Sequence, residues 1–256
     1  MPKIAIREIA EPCRPNIGRI LGALRRLRML RLMPKTTRLL LLKRRYGDKY
    51  HEAIFSKIWE DNSWGDVESK SGSGFNLSQT AFIRDELPKL LGDLDVRRLL
   101  DIPCGDFRWM QEVHLSAGLE YFGGDIVDKM IKYNSDHYGN NTLSFLRLDI
   151  LRDALPRVDL VLCRDCFVHF SISDICQAIR NLKRSGSTYL LVTHFTGDRQ
   201  NRDIITGQWR PISLTRPPFN FPRPLRVIDE RCTEAKGRYQ DKCLALWRLE
   251  DLPDLS

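Results

Sequence analysis

Residues 97–125 read RRLLDIPCGDFRWMQEVHLSAGLEYFGGD, and their order decides the fold. Residues 96–102 form a short apolar run of β-type side chains that stops at Pro103, Cys104 and Gly105, where the backbone must turn. Asp106 follows as a candidate N-cap, with Phe107, Met110 and Val113 at helical spacing behind it. A second strand over 119–122 ends in Gly123, Gly124 and the carboxylate of Asp125. Strand, tight turn, helix, strand and acid make up the first half of a nucleoside-binding βαβ unit.

In such a unit the turn and the helix N-terminus present backbone N–H groups to the ligand, and an acid about 20 residues on accepts from ribose hydroxyls. Asp125 lies 20 positions beyond Gly105. The dinucleotide fingerprint G-x-G-x-x-G is absent, however, because the turn holds one glycine between Pro103-Cys104 and Asp106. Pro103 and Phe107 would obstruct the close backbone approach that a pyrophosphate needs, and Asp101 and Asp106 would repel phosphate. They suit a ligand bearing an ammonium and a sulfonium, as in S-adenosylmethionine.

Four segments in order, LLDIPCGD (99–106), GGDI (123–126), LRLDI (146–150) and DLVLCRDCFVHFS (159–171), resemble the class I S-adenosylmethionine-dependent methyltransferases. Pro103 and Asp106 depart from that family's usual D-x-G-x-G-x-G. The resemblance is closer to a bacterial subgroup with W-G, S-G-S-G and Q-T before the first motif, here Trp64-Gly65, residues 71–74 and Gln79-Thr80, and it covers 46–252. It implies an α/β, Rossmann-like seven-stranded sheet of order 3-2-1-4-5-7-6, the last strand antiparallel, with helices on both faces. It also implies S-adenosylmethionine as cofactor. The residues expected around it are Trp64, Gly72 and Gly74 from the glycine-rich segment, then Asp101, Pro103, Cys104, Gly105 and Asp106 from the first motif. Asp125, Ile126, Asp149, Ile150 and Arg164 follow from later strand ends.

The 256 residues, 42% apolar and 29% charged, suit one sizeable α/β domain with an appendage. The net charge of +8 is unevenly placed. Residues 1–50 hold 14 Lys/Arg against three acids, a local +11, so residues 51–256 carry 8 − 11 = −3. A mildly acidic domain argues against a nucleic-acid substrate gripped by the domain itself. Seven cysteines without a scaffold pattern point to a reducing, cytoplasmic compartment. Cys163 and Cys166 form a lone C-x-x-C with nothing to complete a zinc site, so no metal is expected.

The expected organisation is an arm over 1–45 and a methyltransferase domain over 46–256. In the arm, Ile17, Ile20, Leu21, Leu24, Leu27 and Leu30 recur at helical spacing among arginines. Two readings stay open: a basic amphipathic helix lying on an anionic inner-membrane surface or a protein partner, or else a poorly ordered extension or a later translation start at Met29 or Met33. Residues 46–60 and 77–91 read as helices, the second capped by Asn76 or Ser78 and kinked or ended early by Pro88. The segment between them reads as a lid in which Trp64 offers an apolar face. Further strands are expected over 143–148, 158–163, 188–193, 225–228 and 242–249, with helices over 127–137 and 174–183. Asp149 would accept from the adenine amino group and Ile150 would cover the ring.

Residues 195–224 form a long proline-rich loop at the sheet's ligand-binding edge. Asn201, Arg202, Asp203, Trp209, Arg210 and Asn220 are the expected acceptor-binding residues. Methyl transfer is an in-line displacement, and a hydroxyl acceptor also needs a base. His169, Asp165 and His194 are the candidates. An [DNS]-P-P-[YFW] element is missing after the fourth strand, where Arg164-Asp165-Cys166-Phe167 stands instead, which disfavours adenine, cytosine and glutamine methylation. The expected function is methylation of a small-molecule or saccharide hydroxyl. The alternatives are an RNA methyltransferase that grips through the basic arm, and a non-enzymatic cofactor-binding module docked on a membrane or complex.

Overall fold

The computed structural model describes residues 34–255, so the periodic stretch of 17–30 lies outside the described residues. Among the described residues, the five α-helices of 11 residues or more are α1 (Lys35–Tyr46), α2 (Tyr50–Glu60), α3 (Leu77–Asp93), α4 (Asp128–Tyr138) and α5 (Ile172–Arg184). Seven strands, β1 (Arg98–Asp101), β2 (Glu120–Asp125), β3 (Leu143–Arg147), β4 (Leu160–Cys163), β5 (Tyr189–Phe195), β6 (Arg226–Asp229) and β7 (Lys242–Arg248), form one sheet. Their order is β3-β2-β1-β4-β5-β7-β6, as expected. β1 to β5 are mutually parallel, and β7 runs antiparallel to both its neighbours.

Side chains alternate across a strand, so each strand feeds two cores. Val161 and Cys163 of β4 join Ile175, Ile179 and Leu182 of α5 on one face. Leu160 and Leu162 join Ile83, Leu87 and Leu90 of α3 on the other. Asn76 caps α3 by accepting from the Gln79 N–H at 2.9 Å. That helix continues through Pro88 to Asp93 rather than ending early. The described end of the expected arm is also built into the structure: Leu39 of α1 is buried against Tyr50, Ile54 and Ile58 of α2.

One expectation fails at the centre of the motif. No α-helix follows Asp106; residues 106–118 are turns and a short 3₁₀ segment, Met110–Glu112. Gly105 and Phe107 both sit at positive φ, +59° and +60°, which takes the chain out of helical register at the first turn. Phe107, Met110 and Val113 are still buried. Phe107 packs edge-on to Tyr121 and Phe145 and against Tyr138, so this apolar spacing fills a core from irregular backbone. Asp106 therefore caps no helix: its carboxylate accepts from the Ser69 hydroxyl at 2.9 Å.

Candidate active site

A cavity of about 360 Å³ opens where the parallel strands end. Its floor is Pro103 and Gly105 after β1, Asp125 and Ile126 closing β2, Asp149 and Ile150 after β3, and Asp165 and His169 after β4. Phe195 at the end of β5 and Lys242 at the start of antiparallel β7 complete the same edge. The roof is α2, through His51, Phe55 and Trp59, together with Trp64 and residues 71–75. Trp209, Glu234 and Tyr239 form the remaining wall.

The turn is held from both sides. Asn134 of α4 donates to the Gly105 carbonyl at 2.8 Å, and the Asp106 N–H donates to the Ser71 hydroxyl at 2.9 Å. A Cβ at Gly105 would lie 2.6 Å from Ser71 Oγ and 2.9 Å from Phe75 Cε1, so close packing and positive φ both demand glycine. The Gly105 N–H turns to Asp125 Oδ2 at 3.3 Å. The backbone donors expected to greet a ligand are thus used within the protein. What remains at the wall is Asp125, whose Oδ1 accepts from the Val127 N–H at 3.0 Å. Burial pushes this carboxyl up to about 6, against its backbone hydrogen bonds.

Asp149 also keeps acceptor capacity, since one oxygen takes the Leu151 N–H at 2.9 Å. Ile126, Met130 and Ile150 supply an apolar slot between the two acids. Hydroxyl and amino donors of a nucleoside match the acids, its ring matches the slot, and the acid-rich wall favours a cation over a phosphate. On this chemistry the residues present fit S-adenosylmethionine. Asp101 and Cys104 are buried and are not among the wall residues. Asp101 accepts from the Tyr121 hydroxyl at 2.8 Å below the turn, and burial raises it to about 7.

A buried ion-pair network lies beneath the β4–β7 side. Arg164 pairs with Glu230 at 2.6 Å, and Lys242 pairs with Asp165 at 2.7 Å and Glu230 at 3.4 Å. Arg164 faces this network and not the cavity, and it donates to the Gly74 carbonyl at 2.7 Å, tying the roof down. Gly74 is needed there because a Cβ would stand 2.7 Å from Asp165 Oδ2. Burial works to raise the Asp165 carboxyl, but Lys242 and Arg164 outweigh it and hold it at about 2. An ionised carboxylate so firmly paired is a poor proton acceptor.

His169 is the contrasting case. Its Nδ1 lies 2.9 Å from the Gln208 carbonyl, which can only accept, so Nδ1 carries the hydrogen and Nε2 a lone pair. Burial lowers the ring to about 4, keeping it neutral. Trp64 rests against it with centroids 5.1 Å apart. His194 does not reach the cavity: Nδ1 accepts from the Leu214 N–H at 3.0 Å and the ring meets Trp247 edge-on.

Of the expected acceptor residues, Trp209 alone lines the cavity. Asn201 donates to the Ser213 and Pro217 carbonyls, each at 2.8 Å, and Arg210 donates to the carbonyls of Phe167 and Phe170. Asp203 accepts from the Ile172 N–H at the start of α5, and Arg202 and Asn220 are exposed away from the wall. A loop buried this deeply must satisfy its own backbone, and its polar side chains do so. His51, Phe55 and Trp59 of α2 line the cavity although none is among the residues expected at the site. Their i, i+4, i+8 spacing, beside the Tyr50, Ile54, Ile58 stripe, was the available signal of a helix covered on two sides.

Residues 100–189 match the family model described as a methyltransferase domain. No curated protein matches the chain. Among solved structures, human N-acetylserotonin methyltransferase in complex with SAM is similar at 13% identity and a TM-score of 0.46, over 65% of this chain and 54% of that one. A SAM-dependent methyltransferase from Aquifex aeolicus is similar at 15% identity and 0.44, over 67% and 91%. The N-methyltransferase NodS from Bradyrhizobium japonicum WM9 is similar at 17% identity and 0.43, over 66% and 96%. The chain thus spans about half the length of the human enzyme.

Proposed function

We propose that the chain is a class I S-adenosylmethionine-dependent methyltransferase and that it methylates a hydroxyl group on a small-molecule or saccharide acceptor, a reading supported by the methyltransferase-domain match over residues 100–189 and the sheet order. Residues 46–256 are the catalytic domain in this reading. When bound, S-adenosylmethionine supplies an electrophilic methyl group on a sulfonium. Asp125 accepts from the ribose hydroxyls, Asp149 accepts from the adenine amino group, and Ile126 and Ile150 hold the ring. Trp209 and Tyr239 flank the acceptor and exclude water.

The observation that carries the hydroxyl reading is the His169 tautomer. With Nδ1–H anchored on the Gln208 carbonyl, Nε2 is the lone pair at the wall, whereas Asp165 is paired with Lys242. As an oxygen gains the methyl group its proton becomes strongly acidic. A base as weak as this imidazole is therefore sufficient, and burial keeps it unprotonated at neutral pH. His169→Ala should lower kcat by about 10²- to 10⁴-fold while S-adenosylhomocysteine affinity stays within about twofold. Labelled S-adenosylmethionine incubated with fractionated extract should yield an O-methyl ether. Label in an amine product, or full turnover by His169→Ala, would overturn the assignment.

A further inference from the structure

α1 offers a face that the fold does not use. Leu39 is buried beneath the helix, but Leu40 is 52% exposed, Leu41 43% and Tyr46 40%. Spacing of 3.6 residues per turn puts Leu40 and Leu41 beside Arg44 and Arg45 on the outward side. The helix sequence KTTRLLLLKRRY contains five basic residues and no acid, in a chain whose residues 51–256 are net negative. Among the described residues, these five basic side chains form no ion pair.

The same helix adjoins the acceptor wall. Gln208 donates to the Thr36 hydroxyl at 3.1 Å, and its carbonyl anchors His169. Ile205 of that loop packs beside Leu39, and the next wall residue, Trp209, is 36% exposed. The open side of the acceptor wall therefore borders the basic, leucine-bearing face.

We propose that α1 docks on an anionic lipid bilayer and thereby presents the acceptor end of the cavity to a hydroxyl compound carried in that bilayer. Arginines beside exposed leucines match such a surface: guanidinium groups reach anionic headgroups while the leucines enter the acyl boundary. Nucleic acid would match the arginines and leave the leucines in water. The net negative charge of residues 51–256 restricts attraction to the N-terminal end of the chain and so orients the molecule. Docking stands by itself; the bilayer-borne acceptor rests on the hydroxyl reading above.

The test uses the full chain, vesicles of phosphatidylcholine with or without phosphatidylglycerol, and a single-stranded RNA oligonucleotide. Sedimentation with the anionic vesicles only is expected, with loss in about 0.5 M salt. Joint Arg44→Glu and Arg45→Glu should weaken partitioning at least about 30-fold. Joint Leu40→Ser and Leu41→Ser should weaken it by about tenfold, with S-adenosylhomocysteine affinity unchanged in both variants. Equal or absent sedimentation on the two vesicles, or RNA binding indifferent to the leucine change without lipid binding, would overturn docking. With membranes as acceptor source, label should enter the organic-extractable fraction. Label confined to water-soluble ethers would overturn the bilayer-borne acceptor alone, and label on amines would count against the hydroxyl reading while leaving the docking result intact.

Discussion

The two halves of the cavity are built on different physics. On the nucleoside side, Asp125 ends β2 and Asp149 lies two residues past the end of the adjacent parallel β3, and each is held by a backbone N–H two residues on. Their positions follow from strand register and local turns. On the acceptor side, Trp209, Tyr239 and Glu234 come from loops far apart in the chain, over a floor of buried, mutually paired charges. One half is thus organised locally and tolerates change locally, whereas the other depends on long-range partners all being present.

The largest expected effect probes that dependence. Glu230 is buried and serves both Arg164 and Lys242, so Glu230→Gln leaves two cations sharing Asp165. Removing one member of a buried ion network costs about 3–5 kcal/mol. Urea denaturation should show a loss of that size. Tyr121→Phe, which removes one hydrogen bond to Asp101 beneath the nucleoside side, should cost about 1 kcal/mol. Equal losses in the two variants would erase the contrast.

The same contrast explains what could be read from the sequence. Strand positions and the acids that close them were legible because short apolar runs and a terminal carboxylate are local signals, whereas the sheet order was implied by the family resemblance alone. Phe107, Met110 and Val113 misled because burial was read as helicity, whereas positive φ angles at Gly105 and Phe107 turn the same residues into an irregular core segment. Asn201 and Arg210 misled for another reason: loop polarity was read as readiness for a ligand, when the loop consumes it. Lys242 was legible only as the start of a strand. That it lies 2.7 Å from Asp165 depends on β7 running antiparallel beside β5, a long-range fact that the family resemblance implied and residue spacing did not.

Substitutions on the two sides should also separate in binding. Asp125→Ala removes the acceptor proposed for the ribose hydroxyls and should weaken S-adenosylhomocysteine about 10- to 100-fold by calorimetry. Trp209→Ala should leave that affinity within about twofold and raise the KM for the acceptor about tenfold, since it removes one aromatic wall. If Trp209→Ala weakened the cofactor as much as Asp125→Ala, the division of the cavity would be wrong.

The smallest effect is a pH dependence, and its sign follows from Asp125. Burial raises this carboxyl to about 6, so in the ligand-free protein about a tenth is ionised at pH 5 and about nine tenths at pH 7. Ribose hydroxyls donate to the ionised form, so S-adenosylhomocysteine should bind about tenfold more tightly at pH 7 than at pH 5 and level off above that. The contribution of Asp125 to the stability of the free protein moves the other way. The unfolded carboxyl ionises near its ordinary value of about 3.9 while the folded one holds its proton to about 6, so between these the folded state binds more protons and stability falls as pH rises. Asp125→Asn should remove the binding slope and only its own share of the stability slope, since Asp101, which burial raises to about 7, also holds its proton through this window and on to about 7. His169 titrates near 4, below the range of the binding slope, and Trp209→Ala should keep that slope in full. A wild-type affinity flat from pH 5 to 8 would mean that the Asp125 carboxylate is not the group the cofactor engages.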